Sequence, residues 1–212
     1  MIKGIFFDVG GTLCSFSKNI NKKPSFKKIL ASFTNKSVSD FGVKKQSYLW
    51  KSDASKKKLI NRLCLDLKID NCNVLYKKLS KYPYKLYLYK DVKPCLKKLS
   101  TKYQLGLLSN ATPWTAFNHN KLGIGNYVKI SVLSCEVGLV KPDIKIFNYA
   151  SKLVGLSPRE LLYIGDNIEY DIKPALLANW NAILLCREKN IKNAPVPIIS
   201  DLFKLDDILL KF

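Results

Sequence analysis

The sequence is poor in the side chains that many binding and redox proteins rely on. Of its 36 basic residues only Arg62, Arg159 and Arg187 are arginine, and the other 33 are lysine. Proteins that read phosphates or bases by geometry favour the rigid arginine fork, so this composition argues against a dedicated nucleic-acid reader. Lysine with abundant asparagine and isoleucine is instead the pattern of an AT-rich coding bias. There is one histidine, His119, in a stretch that reads as a surface helix over 114–122, where a structural role is expected. The six cysteines, at 14, 64, 72, 95, 135 and 186, form no CxxC pair. Reduced, buried thiols in a cytosolic protein are therefore expected, rather than a metal knuckle or a disulfide framework. No apolar run approaches a membrane span. The first apolar run is interrupted by Asp8 and lacks a small-residue cleavage site, so it does not read as a signal peptide. A cytoplasmic protein without a membrane partner is expected.

What is present is a foldable chain of 212 residues, 47% hydrophobic, with room for one core and a modest insertion. The formal charge of +20 is uneven. Residues 14–88 carry 18 basic against four acidic side chains, a net of +14. Such a segment raises the local concentration of anions. Lysines on a solvated face bind nucleic acid, if at all, weakly and without sequence preference.

Residues 2–8 read as a buried strand. From 91 onward helices and strands alternate, the pattern of an α/β fold with a parallel sheet and helical crossovers. Helix is expected at 93–102, strand at 104–109, strand at 128–133, and helix from near Pro142 to about Val154. A capped turn is expected at Ser157–Glu160, strand at 161–165, helix at 172–178, strand at 182–186 and a terminal helix at 202–210. Residues 14–88 break this alternation. Leu59, Leu63 and Leu67, then Leu75 and Leu79, recur at helical spacing, which predicts a small helical insertion.

Four short motifs fall at the ends of predicted strands. The first is Asp8-Val9-Gly10-Gly11-Thr12, a carboxylate delivered by a strand into a tight turn. The second is Ser109-Asn110. The third is Lys141 in Gly138-Leu139-Val140-Lys141-Pro142. The fourth is Gly165-Asp166, with Asp171 five residues beyond Asp166. In an open parallel sheet ligands bind at the carboxyl ends of the strands.

In this order the motifs resemble those of the haloacid dehalogenase superfamily, over essentially the whole chain. The resemblance implies a Rossmann-like core formed by residues 1–13 and 89–212, with a helical cap at 14–88 as in the first subclass. Caps of this kind close over the site, exclude water and choose the substrate. It further implies magnesium-dependent phosphoryl transfer from a small phosphorylated substrate through an aspartyl-phosphate on Asp8. Lys141 would neutralise charge there, and Thr12, Ser109, Asn110 and Lys141 would hold the phosphoryl group. Asp8, the Gly10 carbonyl and Asp166 would hold the metal, with Asp171 behind them or paired with Lys141. One position departs from the family pattern. The second aspartate of the first motif, which protonates the leaving group and activates water, is here Gly10. That predicts a phosphatase favouring good leaving groups. The alternative is a catalytically impaired phosphate binder whose basic cap docks an anionic partner such as RNA. Dehalogenation is disfavoured, since it dispenses with the metal for which Gly165-Asp166 looks suited.

Overall fold

The computed structural model describes residues 1–15, 26–37, 40–41, 47–52, 55–80, 86–115, 120, 122–187, 191 and 193–210. Six strands form one parallel sheet: β1 (Gly4–Phe7), β4 (Gln104–Ser109), β5 (Ile130–Leu133), β6 (Leu161–Gly165), β7 (Asn181–Leu185) and β8 (Ile198–Ile199). Their spatial order is β5-β4-β1-β6-β7-β8. The chain builds outward from β1 in one direction and then in the other, so the crevice beside β1 is the switch point at which α/β sheets bind ligands.

The sheet is apolar on both faces, as a strand covered on both sides requires. Ile5, Phe7, Leu105, Leu107, Leu162 and Ile164 share one core with Val92 and Leu96 of helix α4 (Val92–Leu99). Phe6, Leu108, Tyr163 and Leu184 share the other with Ile146 and Phe147 of α6 (Lys145–Val154) and Ala175 of α7 (Lys173–Leu177). In the second core the rings of Phe147 and Tyr163 meet edge to face at 5.1 Å, and Phe147 and Trp180 at 5.5 Å. Such pairs add about 0.5–1.5 kcal/mol each beyond their burial. Here they also fix the direction in which Tyr163 points. The α/β fold with a parallel sheet expected from the alternation, and the Rossmann-like architecture that the resemblance implies, are thus present.

The helix expected from Pro142 begins only at Lys145. Pro142 follows a cis peptide bond in the preceding turn, and Asp143 Oδ1 accepts from the Lys145 N–H at 2.9 Å to start the helix. The terminal helix is split into a 3-10 turn at Leu202–Lys204 and α8 (Leu205–Leu209). Of the helix expected over 114–122, residues 116–119, with His119, and residue 121 lie outside the described residues.

Between β1 and α4 the described residues are mainly helical: α1 (Phe26–Ala31), α2 (Lys56–Leu67) and α3 (Cys72–Ser80). The leucines that predicted helices at 59, 63, 67, 75 and 79 are all buried, in a cluster of their own that Trp114 joins. Two short strands, β2 (Cys14–Ser15) and β3 (Tyr87–Leu88), pair antiparallel where the chain leaves and re-enters the sheet region. The expectation of wholly reduced cysteines is corrected here, because Cys64 and Cys72 pair as a disulfide. Lys68 ends α2 in a left-handed conformation and turns the chain back at once. The two Cα atoms come to 6.0 Å, within disulfide reach. Cys14, Cys95, Cys135 and Cys186 take no part in a disulfide among the described residues.

Candidate active site

β1 delivers Asp8 to the carboxyl edge of the sheet, where the Asp8 N–H still donates to Ile164 O at 2.9 Å. The chain then turns tightly. The N–H groups of Leu13 and Cys14 both donate to Val9 O, and the Gly11 N–H donates to Cys14 O. Gly11 has φ of +84°, and a Cβ there would stand 2.3 Å from Asp166 Oδ2. Only glycine serves both the backbone and the neighbouring acid. Gly10 is not among the residues at positive φ.

The ends of β4 and β6 and the turn ahead of α6 supply the partners; Lys141 lies in that turn, beyond a short helix (Ser134–Val137), and not at a strand end as expected. Ser109, at the end of β4, donates from Oγ to Asp8 Oδ1 at 3.1 Å. Lys141 Nζ donates to the same oxygen at 2.8 Å, to the Tyr163 hydroxyl at 2.8 Å, and to Asp171 Oδ1. These three bonds use all three ammonium protons. The Lys141 side chain is only 3% exposed. Burial alone would lower its pKa, but the charges of Asp171 and Asp8 outweigh it and hold the lysine protonated well beyond its ordinary range. The Tyr163 hydroxyl donates to Leu108 O at 2.7 Å. Burial, with Asp171 and Asp8 nearby, pushes the phenol far above its usual pKa, so it stays a neutral donor. Asn110 turns its side chain to the backbone of Lys141: Nδ2 donates to Lys141 O at 2.9 Å, and Oδ1 accepts from the Lys141 N–H at 2.8 Å.

β6 ends in Gly165, and Asp166 follows. Asn167 caps a short π-helical turn, Ile168–Ile172, by accepting from the Glu169 and Tyr170 N–H groups. That turn brings Asp171 back under the strand end. A Cβ on Gly165 would lie 2.5 Å from the Asp171 side chain. Asp171 Oδ2 accepts from the Asn167 N–H at 3.0 Å.

Asp8, Asp166 and Asp171 offer oxygens within 4.8 Å of one another. Three carboxylates thus face one buried ammonium. The excess negative charge shows in Asp166, whose pKa is pushed up to about 7 by burial, then by Asp8 and Asp171. Burial and Asp8 likewise push the adjacent Cys14 thiol up to about 12. The Thr12 hydroxyl is wholly buried in the same turn and has no hydrogen-bond partner among the described residues. A shortage of positive charge, hard oxygen donors and an orphaned hydroxyl suit a divalent cation with a phosphate oxyanion.

The structure therefore brings Asp8, Thr12, Ser109, Lys141, Asp166 and Asp171 to one edge of the sheet. Sequence reasoning missed Tyr163, whose one signal was a polar aromatic in an otherwise aliphatic strand, two residues before Gly165.

Comparison with known proteins agrees. Residues 2–179 match the family model described as haloacid dehalogenase-like hydrolase. A glyceraldehyde 3-phosphate phosphatase of Methanothermobacter thermautotrophicus is 33% identical over 119 residues, 52% of this chain and 53% of that protein. The chain spans about half the length of such curated relatives. A 2-haloacid dehalogenase structure from Pseudomonas syringae superposes with a TM-score of 0.71 at 18% identity, covering 100% of this chain and 99% of the other. A family enzyme from Bacteroides thetaiotaomicron, solved with magnesium and inorganic phosphate, gives 0.66 at 17% identity, covering 91% and 98%. At such identities these two establish the shared fold. With the matched residues running from β1 to the end of α7, the chain belongs to the haloacid dehalogenase-like hydrolase family.

Proposed function

We propose that the protein is a magnesium-dependent phosphatase acting on a small phosphorylated molecule through an aspartyl-phosphate on Asp8, with preference for good leaving groups. The observation that carries this reading is the Asp8 carboxylate, fixed by Ser109 and Lys141 beside Asp166. An Asp8 oxygen attacks phosphorus, and the bond from phosphorus to the ester oxygen breaks with its electron pair on the leaving group. Water then attacks the same phosphorus. The Asp8–phosphorus bond breaks, the carboxylate is restored, and one proton is released to solvent. Lys141 stays charged throughout and offsets charge on Asp8 and the phosphoryl oxygens. Ser109 and Thr12 supply hydroxyl donors, and Asn110 acts by holding the Lys141 backbone.

The metal ligands are Asp8, Asp166 and the Gly10 carbonyl; Asp171 is already engaged by Lys141 and the Asn167 N–H. Magnesium held there supplies further positive charge to the phosphoryl oxygens. Gly10 brings no proton donor, so esters that leave as stable anions, such as aryl, acyl and sugar-1-phosphates, are favoured. A positioned general acid is worth about 10²–10⁴-fold. The helical residues within 14–88 are read as the cap of a core formed by 1–13 and 89–212. Among the described residues no helix is long and apolar enough to cross a membrane.

Phosphate release from 4-nitrophenyl phosphate, with and without magnesium, tests this in wild type and Asp8→Asn. Magnesium-dependent turnover is expected in wild type and should be abolished in the variant, with the fold intact by circular dichroism. Residual turnover within about tenfold, under about 1.4 kcal/mol of barrier, excludes Asp8 as the nucleophile. Absence of turnover in wild type, with phosphate still bound, favours the impaired phosphate binder.

A further inference from the structure

Arg187 is one of only three arginines in a lysine-dominated chain, and none of the motifs accounts for it. It follows β7, which is separated from β1 by β6. Its side chain, 11% exposed, reaches back to the turn beyond Asp8. Nε and Nη2 both donate to Thr12 O, at 3.0 and 2.8 Å. Nη1 donates to Asp91 Oδ2 at 2.9 Å, and the guanidinium lies over the Tyr89 ring, 3.9 Å from its centre. Asp91 stands at the N-cap position of α4 yet makes no side-chain cap there. Its carboxylate is turned instead to Arg187 and to the Leu202 N–H at 2.8 Å.

These contacts meet at one place. Thr12 precedes the outgoing strand β2, and Tyr89 and Asp91 follow the returning strand β3. The Tyr89 N–H donates to Leu13 O at 3.1 Å, so the two chain segments also hold each other. A planar guanidinium satisfies one carbonyl twice and a carboxylate once while stacking on a ring. An ammonium has no such fixed fork. The chain's usual choice of lysine is set aside where that geometry is needed.

We propose that Arg187 is a positioning residue that clamps the turn carrying Asp8 to the segment returning from the helical insertion. Its link to turnover rests on the reading of Asp8 as nucleophile. Residue-resolved amide hydrogen exchange on the full chain tests the clamp without reference to activity. Arg187→Lys keeps the charge beside buried Asp91 and removes the fork. The amides of Leu13, Cys14 and Tyr89 should exchange about tenfold faster, as expected for losing charged hydrogen bonds, while those of β4 and β6 keep their protection. Unchanged exchange at the three amides overturns the proposal. So does uniform acceleration through β4 and β6, which would make Arg187 a general stability element. If Arg187→Lys fails to fold, Asp91→Asn, which retains an acceptor for Leu202, should give the same local pattern at smaller size, and no change there overturns the clamp. In the phosphatase assay kcat should fall about tenfold with KM held within about threefold, the signature of a misplaced reacting group. Loosened amides with wild-type kcat would sever the clamp from Asp8. A wild type without turnover defeats the phosphatase reading and leaves the exchange comparison to decide the clamp.

Discussion

Removing one oxygen from Tyr163 should be felt at Lys141 before it is felt by the fold. The ring keeps its contacts with Phe147 in Tyr163→Phe, but one of the three Lys141 protons loses its acceptor and Leu108 O loses a donor. A hydrogen bond to a buried charge is worth about 1.5–3 kcal/mol, so kcat/KM on an aryl phosphate should drop about ten- to hundredfold. Steady-state kinetics beside near-UV circular dichroism check this, and wild-type turnover would show the hydroxyl to be idle. Asp166 carries a second expectation at this scale. Its pKa in the folded protein, about 7, stands above its ordinary 3.8. The folded chain therefore holds that proton more tightly than the unfolded one. Asp166 favours folding most fully below about pH 4, and this contribution is lost as pH rises to about 7. Magnesium competes with the same proton, so its affinity should climb with pH and level off above about 7. Calorimetric titrations at pH 6 and pH 8 should differ accordingly, and Asp166→Ala should weaken binding and flatten the dependence. Equal affinities at both pH values would remove Asp166 from the metal site.

The turn after β1 behaves as a unit, because the two glycines have separate tasks. Gly11→Ala places a methyl group against the Asp166 carboxylate in a left-handed backbone that costs about 1–2 kcal/mol for an L-residue. It should lower both melting temperature and magnesium affinity. Gly10→Asp meets no such backbone penalty, since the positive φ lies one residue on. Restoring a carboxylate there should raise turnover of alkyl phosphates, toward the 10²-fold lower end for general acids, more than that of aryl phosphates. Equal changes in kcat/KM for both ester types, in a folded variant, would contradict the missing-acid account. Elements of this kind were legible in the sequence to the extent that their signal is local. β4 and β6 were readable residue for residue from apolar runs and the polar groups that stop them, and the leucine spacing marked α2 and α3. The two-residue strands β2, β3 and β8 are too short to carry any period. Asn110's grip on Lys141, the Tyr163 hydroxyl and the reach of Arg187 to Thr12 are pairings between distant parts of the chain, which no window of sequence contains. The disulfide was hidden for another reason: a spacing of eight becomes close only after Lys68 reverses the chain.

Over the whole molecule the dominant quantity is charge. The +14 of residues 14–88 is almost all lysine, so anions should gather there through diffuse attraction. Binding of a single-stranded oligonucleotide, followed by polarisation across a salt series, should be weak, indifferent to sequence and steeply weakened by salt. Tight binding of one sequence that survives high salt would contradict this. The antiparallel pairing of Cys14–Ser15 with Tyr87–Leu88 has a separate consequence. It fixes the two ends of the intervening chain side by side, so that chain leaves and re-enters the sheet region as a closed loop. Closing a flexible loop twice as long costs only about 0.6 kcal/mol more. The register of the sheet is thereby little affected by the length of what hangs from the clasp. Segments of different length can therefore be joined at the clasp while the sheet beneath keeps its register.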